Sequence, residues 1–349
     1  MVEQVESEIA QSLTLPARSP TARTRIEALD MTKGVLVLAM VVYHSFNYSS
    51  DYTLGFKYLP FLPPSFILIT GFLISRLYFT PETARDSSVY GRLLFRGFRL
   101  LLVFTILNVL TQLVGRRKAI GTPTGLSYLF DYWYEIYVIG GGQYAAFSIL
   151  LPIAYLLLLA PFLILLYRGH HLLVPLVAVG ITIFSTIHVV EEEPWFNLML
   201  VSAGLIGVIV GRVPNISLSL LRRYWYLPVI AYAVYLAVRH LVWQNRFDQL
   251  LNAFLALVAI FGICAAISAG GLFSRELLVI GKYSLLAYIF QIAALQVVTR
   301  LIGRLEPFTI CFFLQMLGVG VVMIIMTEGL QWARKRAAWV DASYRFVFA

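Results

Sequence analysis

The sequence predicts an all-α membrane protein, a polytopic bundle of about ten transmembrane helices with both termini in the cytoplasm. Of the 349 residues, 60% are hydrophobic and only 13% are charged. The mean hydropathy is +0.80, which a soluble domain could reach only by exposing large apolar patches to water. Apolar segments also recur along the chain with no long polar interval between them, so we expect one continuous membrane domain.

Apolar stretches of roughly 17 to 25 residues are long enough to cross about 30 Å of hydrocarbon. The sequence has such stretches near 34–50, 60–79, 97–114, 145–167, 172–190, 195–211, 225–243, 250–270, 277–299 and 308–330. They define a single transmembrane domain over residues 25–335. The polar residues 1–24 predict a disordered N-terminal tail, and residues 336–349 are expected to form a short cytoplasmic tail.

The distribution of basic residues predicts the orientation, because cytoplasmic loops have an excess of Lys and Arg. With the N-terminus inside, nineteen of the 27 basic residues fall on the inner side and eight on the outer side. The inner group is Arg18, Arg23, Arg25, Lys33, Arg76, Arg85, Arg92, Arg96, Arg99, Arg168, Arg212, Arg222, Arg223, Arg275, Lys282, Arg334, Lys335, Arg336 and Arg345. The formal net charge of +9 is therefore mainly a topology signal, and we expect no nucleic-acid partner.

The first span has a line of polar residues on an otherwise apolar helix. His44 lies 11 residues after Lys33, about 16 Å deeper and within about 20° of the same helix face, with Asp30 near the start of that line. Polar groups at membrane depth are costly unless they have a partner or line a wet cavity, which favours a functional role. Two structural alternatives stay open: His44 could bond another helix, and Asp30 with Lys33 could be a simple interfacial ion pair.

The same residues resemble the signature of the acyltransferase-three family of membrane proteins. Arg25-Ile-Glu-Ala-Leu-Asp30 precedes a basic residue, ten further residues and His44, an order that is similar to the first span of that family. Lys33 stands where the family usually has Arg. The exchange keeps the positive charge but loses the planar fork that binds an anion with two hydrogen bonds.

Three further stretches fit the resemblance. Pro63 to Ser75 is similar to the second span of the family, in which Ser or Thr followed by Gly-Phe-Leu recurs. Arg96-Gly-Phe-Arg99 matches its Arg-x-x-Arg motif. Ile280 to Gln291 resembles its late Gly-x-x-Ser-Leu-x-x-Tyr stretch, but Gln291 stands where relatives often have His, so we predict no second histidine.

Arginines at the start of the third span are the candidate donor-binding residues. Arg92, Arg96 and Arg99 are spaced so that Arg96 and Arg99 share one helix face. Positive-inside anchoring alone would also place arginines there. With the resemblance, we interpret them as a clamp for the phosphates of an acyl-CoA, because a guanidinium can pair with phosphate through two hydrogen bonds.

The resemblance implies a membrane-bound O-acyltransferase of the plasma (inner) membrane. It would move an acetyl or succinyl group from acyl-CoA, a cosubstrate, to a hydroxyl of a carbohydrate or other envelope acceptor. His44 would be the general base, a neutral imidazole that takes the acceptor's proton, with Lys33 and Asp30 at the cytoplasmic mouth. No permanently bound cofactor and no metal are expected, since Cys264 and Cys311 lie in apolar runs without ligand spacing.

Two other functions are compatible with the sequence. A transporter of a small polar solute would line its path with the same mid-membrane residues. A catalytically inactive relative would keep the fold, and the departures at Lys33 and Gln291 keep that possibility open. The sequence does not indicate the acceptor, the acyl group or the oligomeric state.

Overall fold

The computed structural model describes residues 26–48, 58–80, 83, 86–115, 126–140, 145–170, 172–190, 195–213, 218–241, 249–267, 271–302 and 308–348. Every regular element in these ranges is helical, which confirms the all-α prediction. The predicted N-terminal tail, residues 1–24, lies outside them. The helices are α1 (Glu27–Tyr48), α2 (Leu62–Tyr78), α3 (Ser87–Gly115), α4 (Leu126–Asp131), a π-helix (Tyr134–Ile139), α5 (Leu150–Gly169), α6 (Leu173–Val190), α7 (Phe196–Arg212), α8 (Leu218–Arg223), α9 (Tyr226–Leu241), α10 (Gln249–Ala266), α11 (Leu272–Lys282), α12 (Ser284–Ile302), α13 (Phe308–Arg336) and α14 (Ala338–Phe348).

Five of these helices are long and apolar enough to cross a membrane, namely α1, α3, α5, α10 and α13. The α11–α12 pair would make a sixth, bent span, and α2, α6, α7 and α9 are apolar but shorter. Each of the ten predicted stretches therefore contains apolar helix, but only five or six reach spanning length among the described residues. The count of ten and the cytoplasmic position of both termini stay predictions.

The structure differs from the predicted boundaries in three places. The third apolar helix, α3, begins at Ser87, well before residue 97, so Arg92 and Arg96 lie inside the helix. The C-terminal tail expected over 336–349 contains the helix α14. The span predicted over 277–299 is two helices that meet at 93°.

The bend between α11 and α12 lies at Tyr283, with no proline nearby. The Tyr283 ring is buried and packs against the guanidinium of Arg334 and the ring of Tyr344. On the preceding turn, Gly281 lies so close to α1 that a Cβ there would overlap the Asp30 carbonyl oxygen. Tertiary contacts on both sides of the break therefore fix the bend, which explains why hydropathy along the chain does not predict it.

Two helix pairs approach each other closely through glycines. Along the α2–α7 pair, a Cβ on Gly71 would overlap the Gly204 carbonyl oxygen, and one on Gly207 would overlap that of Leu68. Such small residues allow backbones to meet and to pack by dispersion, which holds membrane helices together where the hydrophobic effect does not. Around this pair, α5 packs on α7 and α3 packs on α5.

Helix α1 lies at the centre of the other half of the bundle. It contacts α2, α10, α11, α12 and α13. Besides the contact at Gly281, α1 meets α11 at Gly34, where a Cβ would overlap the Leu277 carbonyl oxygen. A buried apolar cluster of α1, α11, α12 and α13 joins Val37 and Val41 to Ile280, Ala287, Leu295, Val319 and Met323. The polar line predicted on α1 is thus enclosed by helices from the last third of the chain.

Candidate functional site

Asp30 and Lys33 form an ion pair at the start of α1, as one of the two structural alternatives expected. The Lys33 ammonium lies 2.6 Å from the Asp30 carboxylate, and Asp30 is buried while Lys33 is partly buried. The next residue, Gly34, and the backbone of Asp30 are the contact points with α11. A charge pair this enclosed costs desolvation energy unless further groups contact it, and Gly34 and Gly281 bring the α11 backbone next to the backbone of this segment.

His44 lies at the far end of α1, on its last turns. Its ring is 6.4 Å from the ring of Tyr288 on α12 and 5.2 Å from that of Tyr43. Its Nε2 atom is buried and has no hydrogen-bond partner among the described residues. Buried polar atoms are nearly always bonded, so an exception needs an explanation such as a ligand or a catalytic role. The alternative in which His44 Nε2 bonds another helix is not seen in this part of the chain.

More buried polar side chains lie around the same junction of α1, α12 and α13. Ser45, Gln291 and Gln315 are almost completely excluded from solvent. Gln291 follows Tyr288 by one turn, and Gln315 follows Phe312, whose ring stacks on Phe46 at 4.4 Å. These three residues and His44 are called the His44 cluster below. Polar groups gathered inside an apolar bundle are the usual mark of a functional site.

Gln291 is the most unusual member of the His44 cluster. Its side chain is fully buried, and neither its amide nitrogen nor its amide oxygen has a hydrogen-bond partner among the described residues. It lies between Ala287 and Leu295 on the face of α12 that belongs to the apolar cluster with Val41. The sequence motif shows only that Gln291 stands where relatives of the family often have His. It does not show that the side chain is buried, because a motif contains no information about burial.

The candidate donor arginines lie on the first turns of α3 and differ in their surroundings. Arg92 is exposed and lies 3.4 Å from Asp86. Arg96 is half-buried, and within the described ranges it makes no ion pair. The Arg99 guanidinium lies between two aromatic rings, 4.4 Å from the Phe95 centroid and 4.6 Å from that of Phe346. Arg92, Arg96 and Arg99 follow one another at spacings of four and three residues within α3, so all three lie on one helix face. Arg92 is exposed, whereas Arg96 and Arg99 are half-buried.

The C-terminal helix α14 reaches Arg99 from across the bundle. Nη1 of Arg99 donates to the Arg345 carbonyl oxygen at 3.4 Å, and the adjacent Phe346 supplies one of the two stacked rings. A guanidinium held between aromatic faces gains cation–π attraction and loses freedom. This contact joins residues 246 positions apart in the sequence, which no local pattern predicts.

The other side of α14 is tied to the α11–α12 bend. Arg334 donates to the Asp341 carboxylate through Nε at 2.8 Å and to the Tyr283 hydroxyl through Nη1 at 3.3 Å. Asp341 also pairs with Arg345 at 2.6 Å. The hydrogen bond from Arg334, assisted by the charge of Arg345, holds the pKa of the Asp341 carboxyl below its usual value of 3.8. A continuous set of contacts thus runs from Arg99 through α14 to Tyr283, beside the α1 ion pair; we call this the arginine end of the bundle.

The arginine end and the His44 cluster lie at different depths of one helix. Eleven residues of α1 separate Lys33 from His44, which is about 16 Å of helix. The described residues contain no group of three or more His, Cys, Asp or Glu that could hold a metal ion. The side chains of the arginine end can pair with an anion. At the other depth, His44 can accept a proton and Gln291 can donate or accept hydrogen bonds.

Comparison with known proteins identifies the family of the chain. The family model of the acyltransferase-three family, described as an acyltransferase domain, matches residues 26–327. The match includes every helix from α1 to α12 and most of α13, and it ends before α14. Comparisons with curated proteins and with solved structures give no match. Because the family model covers most of the chain, the protein belongs to the acyltransferase-three family and is a membrane acyltransferase.

Proposed function

We propose that the protein transfers an acetyl or succinyl group from acyl-CoA to a hydroxyl of a carbohydrate or other envelope acceptor, with His44 as the general base. The buried Nε2 of His44, which has no partner among the described residues, supports this function most directly. A neutral imidazole nitrogen in that state is ready to accept a proton. In a histidine with a purely structural role, that nitrogen would be expected to form a hydrogen bond.

The reaction needs one proton acceptor near the thioester. The acceptor hydroxyl gives its proton to His44 Nε2 while its oxygen attacks the thioester carbon. The C–O bond forms, the carbonyl becomes an oxyanion, and the C–S bond then breaks. The proton passes from His44 to the leaving thiolate, so that the products are the acyl ester and CoA. A covalent acyl-histidine is the alternative route.

The arginine end supplies a fitting place for the donor's charge. Phosphate groups carry several negative charges, and Arg96 and Arg99 offer planar donors on one helix face. Arg96 makes no ion pair within the described ranges, so its guanidinium is available to a ligand. We propose that this end faces the cytoplasm, where acyl-CoA is made, and that the Lys33–Asp30 pair borders the route of the acyl chain toward His44.

Binding of labelled acetyl-CoA and succinyl-CoA to the purified protein in nanodiscs tests this function. Wild type is compared with Arg96→Ala and His44→Ala. We expect wild type to bind one donor, Arg96→Ala to weaken that binding by roughly tenfold or more, since a hydrogen bond to a charged group contributes about 1.5–3 kcal/mol, and His44→Ala to bind like wild type. Gly91→Ala, on the same helix with open space around it, is the control for α3.

Three results would contradict parts of the proposal. Failure of wild type to bind either donor would remove the acyl-CoA reaction and favour an inactive relative. Equal binding by Arg96→Ala and wild type would leave the arginines with a topological role only. Weakened binding by His44→Ala, with the protein folded, would place His44 in donor binding instead of proton transfer.

One observation favours a second candidate, the transport of a small polar solute. The α11–α12 pair is broken at 93°, and broken helices at a membrane site are typical of transporters. Transporters built from repeats usually have a matching break in each half, and this is the one such pair in the described part of the chain. Solute counterflow in vesicles without acyl-CoA would favour transport, whereas counterflow that is absent while donor binds would favour the acyltransferase.

A further inference from the structure

The carboxamide of Gln291 has no structural role that its contacts explain. The side chain is fully buried in α12, and both its nitrogen and its oxygen are unpartnered within the described residues. Burying an amide without hydrogen bonds is costly, whereas an apolar residue of the same shape would cost nothing there. Packing therefore does not explain an amide at this position, and a functional role would.

The helix register directs Gln291 toward the reaction site. Ala287 and Leu295, one turn before and one turn after it, lie in the buried cluster with Val41 of α1. His44 follows Val41 by one turn of α1, and its ring lies 6.4 Å from Tyr288, one turn before Gln291 on α12. Residues three and four apart share a helix face, so the Gln291 amide and the His44 imidazole belong to the same α1–α12 junction.

We propose that Gln291 is a catalytic residue of the same reaction, whose Nε2–H donates a hydrogen bond to the acyl carbonyl oxygen; this inference rests on the proposed function. The thioester carbonyl offers only acceptor lone pairs, and His44 Nε2 in its basic state is also an acceptor. The amide nitrogen of Gln291 is a buried N–H donor of the His44 cluster that has no partner among the described residues. It would orient the carbonyl carbon toward the attacking hydroxyl oxygen.

The bond would strengthen as the reaction proceeds. When the hydroxyl oxygen attacks and His44 takes its proton, the carbonyl oxygen gains a full negative charge that the amide hydrogen then stabilises. When the C–S bond breaks, the charge leaves with the sulfur and His44 protonates it. Gln291 neither gains nor loses a proton. A neutral amide is also far cheaper to bury at this depth than a cationic donor would be.

The test is the rate of label transfer from whichever of acetyl-CoA and succinyl-CoA wild type uses, to acceptors in membranes that contain the protein. Gln291→Met keeps the length and apolar volume of the side chain but removes the donor. We expect kcat to fall roughly 100-fold, the scale of losing one oxyanion donor, with the donor KM changed less than about threefold. Gln291→His restores an N–H donor and is expected to regain part of kcat.

Thermal unfolding in detergent separates catalysis from structure. Because the Gln291 amide has no hydrogen-bond partner in the described part of the chain, Gln291→Met is expected to unfold at the same temperature as wild type or higher. Gln296→Met, the same change five residues further along α12 at a partly buried position, is the matched control and should leave kcat unchanged. An unchanged kcat, or a lowered unfolding temperature, for Gln291→Met would overturn the inference.

Failure of the proposed function gives a different result. If wild type transfers neither acyl group and binds neither donor, the reaction itself is wrong and the role of Gln291 in it falls as well. If wild type is active and Gln291→Met is equally active, only the role of Gln291 is wrong.

Discussion

Two glycine-mediated helix crossings organise the bundle, and they differ in what surrounds them. At the α2–α7 crossing, Gly71, Gly204 and Gly207 meet helix backbones inside a mainly apolar core. At the α1–α11 crossing, Gly34 and Gly281 do the same, but the backbone that Gly281 meets is that of Asp30, half of a buried ion pair. The same packing device thus builds a scaffold in one place and positions charged groups in the other.

The difference separates what holds the fold from what performs chemistry. Apolar helices joined through small residues gain close dispersion contacts and need no polar partners. The α1 crossing fixes a helix whose far end carries His44, next to Gln291 of α12. Among the described residues, His44 Nε2 and the Gln291 amide have no hydrogen-bond partner, which lowers stability. Sites that lower stability in this way are expected where function, not folding, selected the residues.

Adding a methyl group at each crossing should lower stability in both cases but lower activity in only one. Gly281→Ala and Gly71→Ala both force a Cβ into a backbone carbonyl, and each is expected to cost about 1–3 kcal/mol of stability. Only Gly281→Ala displaces α1 at Asp30, so it should also lower kcat by tenfold or more, while the folded fraction of Gly71→Ala keeps wild-type kcat.

Thermal unfolding and transfer rate per folded protein measure the two effects. Gly320→Ala in α13, where a Cβ meets open space, is the control and should be neutral or stabilising by about 0.5–1 kcal/mol. Equal loss of kcat per folded protein in Gly71→Ala and Gly281→Ala would contradict the division into scaffold and site.

A smaller effect is expected at the arginine end. Phe346→Ala removes one of the two rings around Arg99, a cation–π contact of about 0.5–1 kcal/mol at an exposed site. The donor KM should rise roughly two- to fivefold with kcat unchanged. Trp339→Ala, an exposed aromatic of the same helix, should leave KM unchanged; a similar rise in both variants would show that α14 acts only as a whole.

The smallest effect should come from the Asp341 pairs. Asp341→Asn removes the carboxylate that holds Arg334 and Arg345 and should lower the unfolding temperature slightly at neutral pH. Because the folded pKa of Asp341 lies below its usual 3.8, this stability is fully present above about pH 4 and is lost as the pH falls through the folded pKa. Unfolding temperatures of wild type and variant should therefore converge in acid; a constant difference down to pH 2 would contradict the assignment.

Much of the fold and part of the site follow from the sequence. Hydropathy over windows of about 20 residues locates the apolar helices, and the Lys33 to His44 spacing predicts one polar line on α1. Hydropathy does not predict the bend at Tyr283, because the ring contacts that fix it come from α13 and α14. Nor does any spacing predict that Phe346 covers Arg99, since that contact depends on how the chain ends meet in space.

The distinction between Gln291 and other intramembrane amides also needs the structure. Gln291 and Gln296 lie in one apolar stretch and look equivalent in the sequence. In the structure Gln291 is fully buried and has no hydrogen-bond partner among the residues described, whereas Gln296 is partly exposed. Four of the ten predicted spans are shorter than a full crossing in the described residues. Composition alone does not set where such a helix begins and ends.

The most direct test of the account is the transfer of label from acetyl-CoA or succinyl-CoA to envelope acceptors in membranes containing wild type or His44→Ala at equal amounts of folded protein. We expect wild type to transfer label and His44→Ala to lose roughly 100-fold or more of that rate, the contribution of a positioned general base, while donor binding is kept. Full transfer by His44→Ala would contradict the central claim that His44 takes the acceptor's proton.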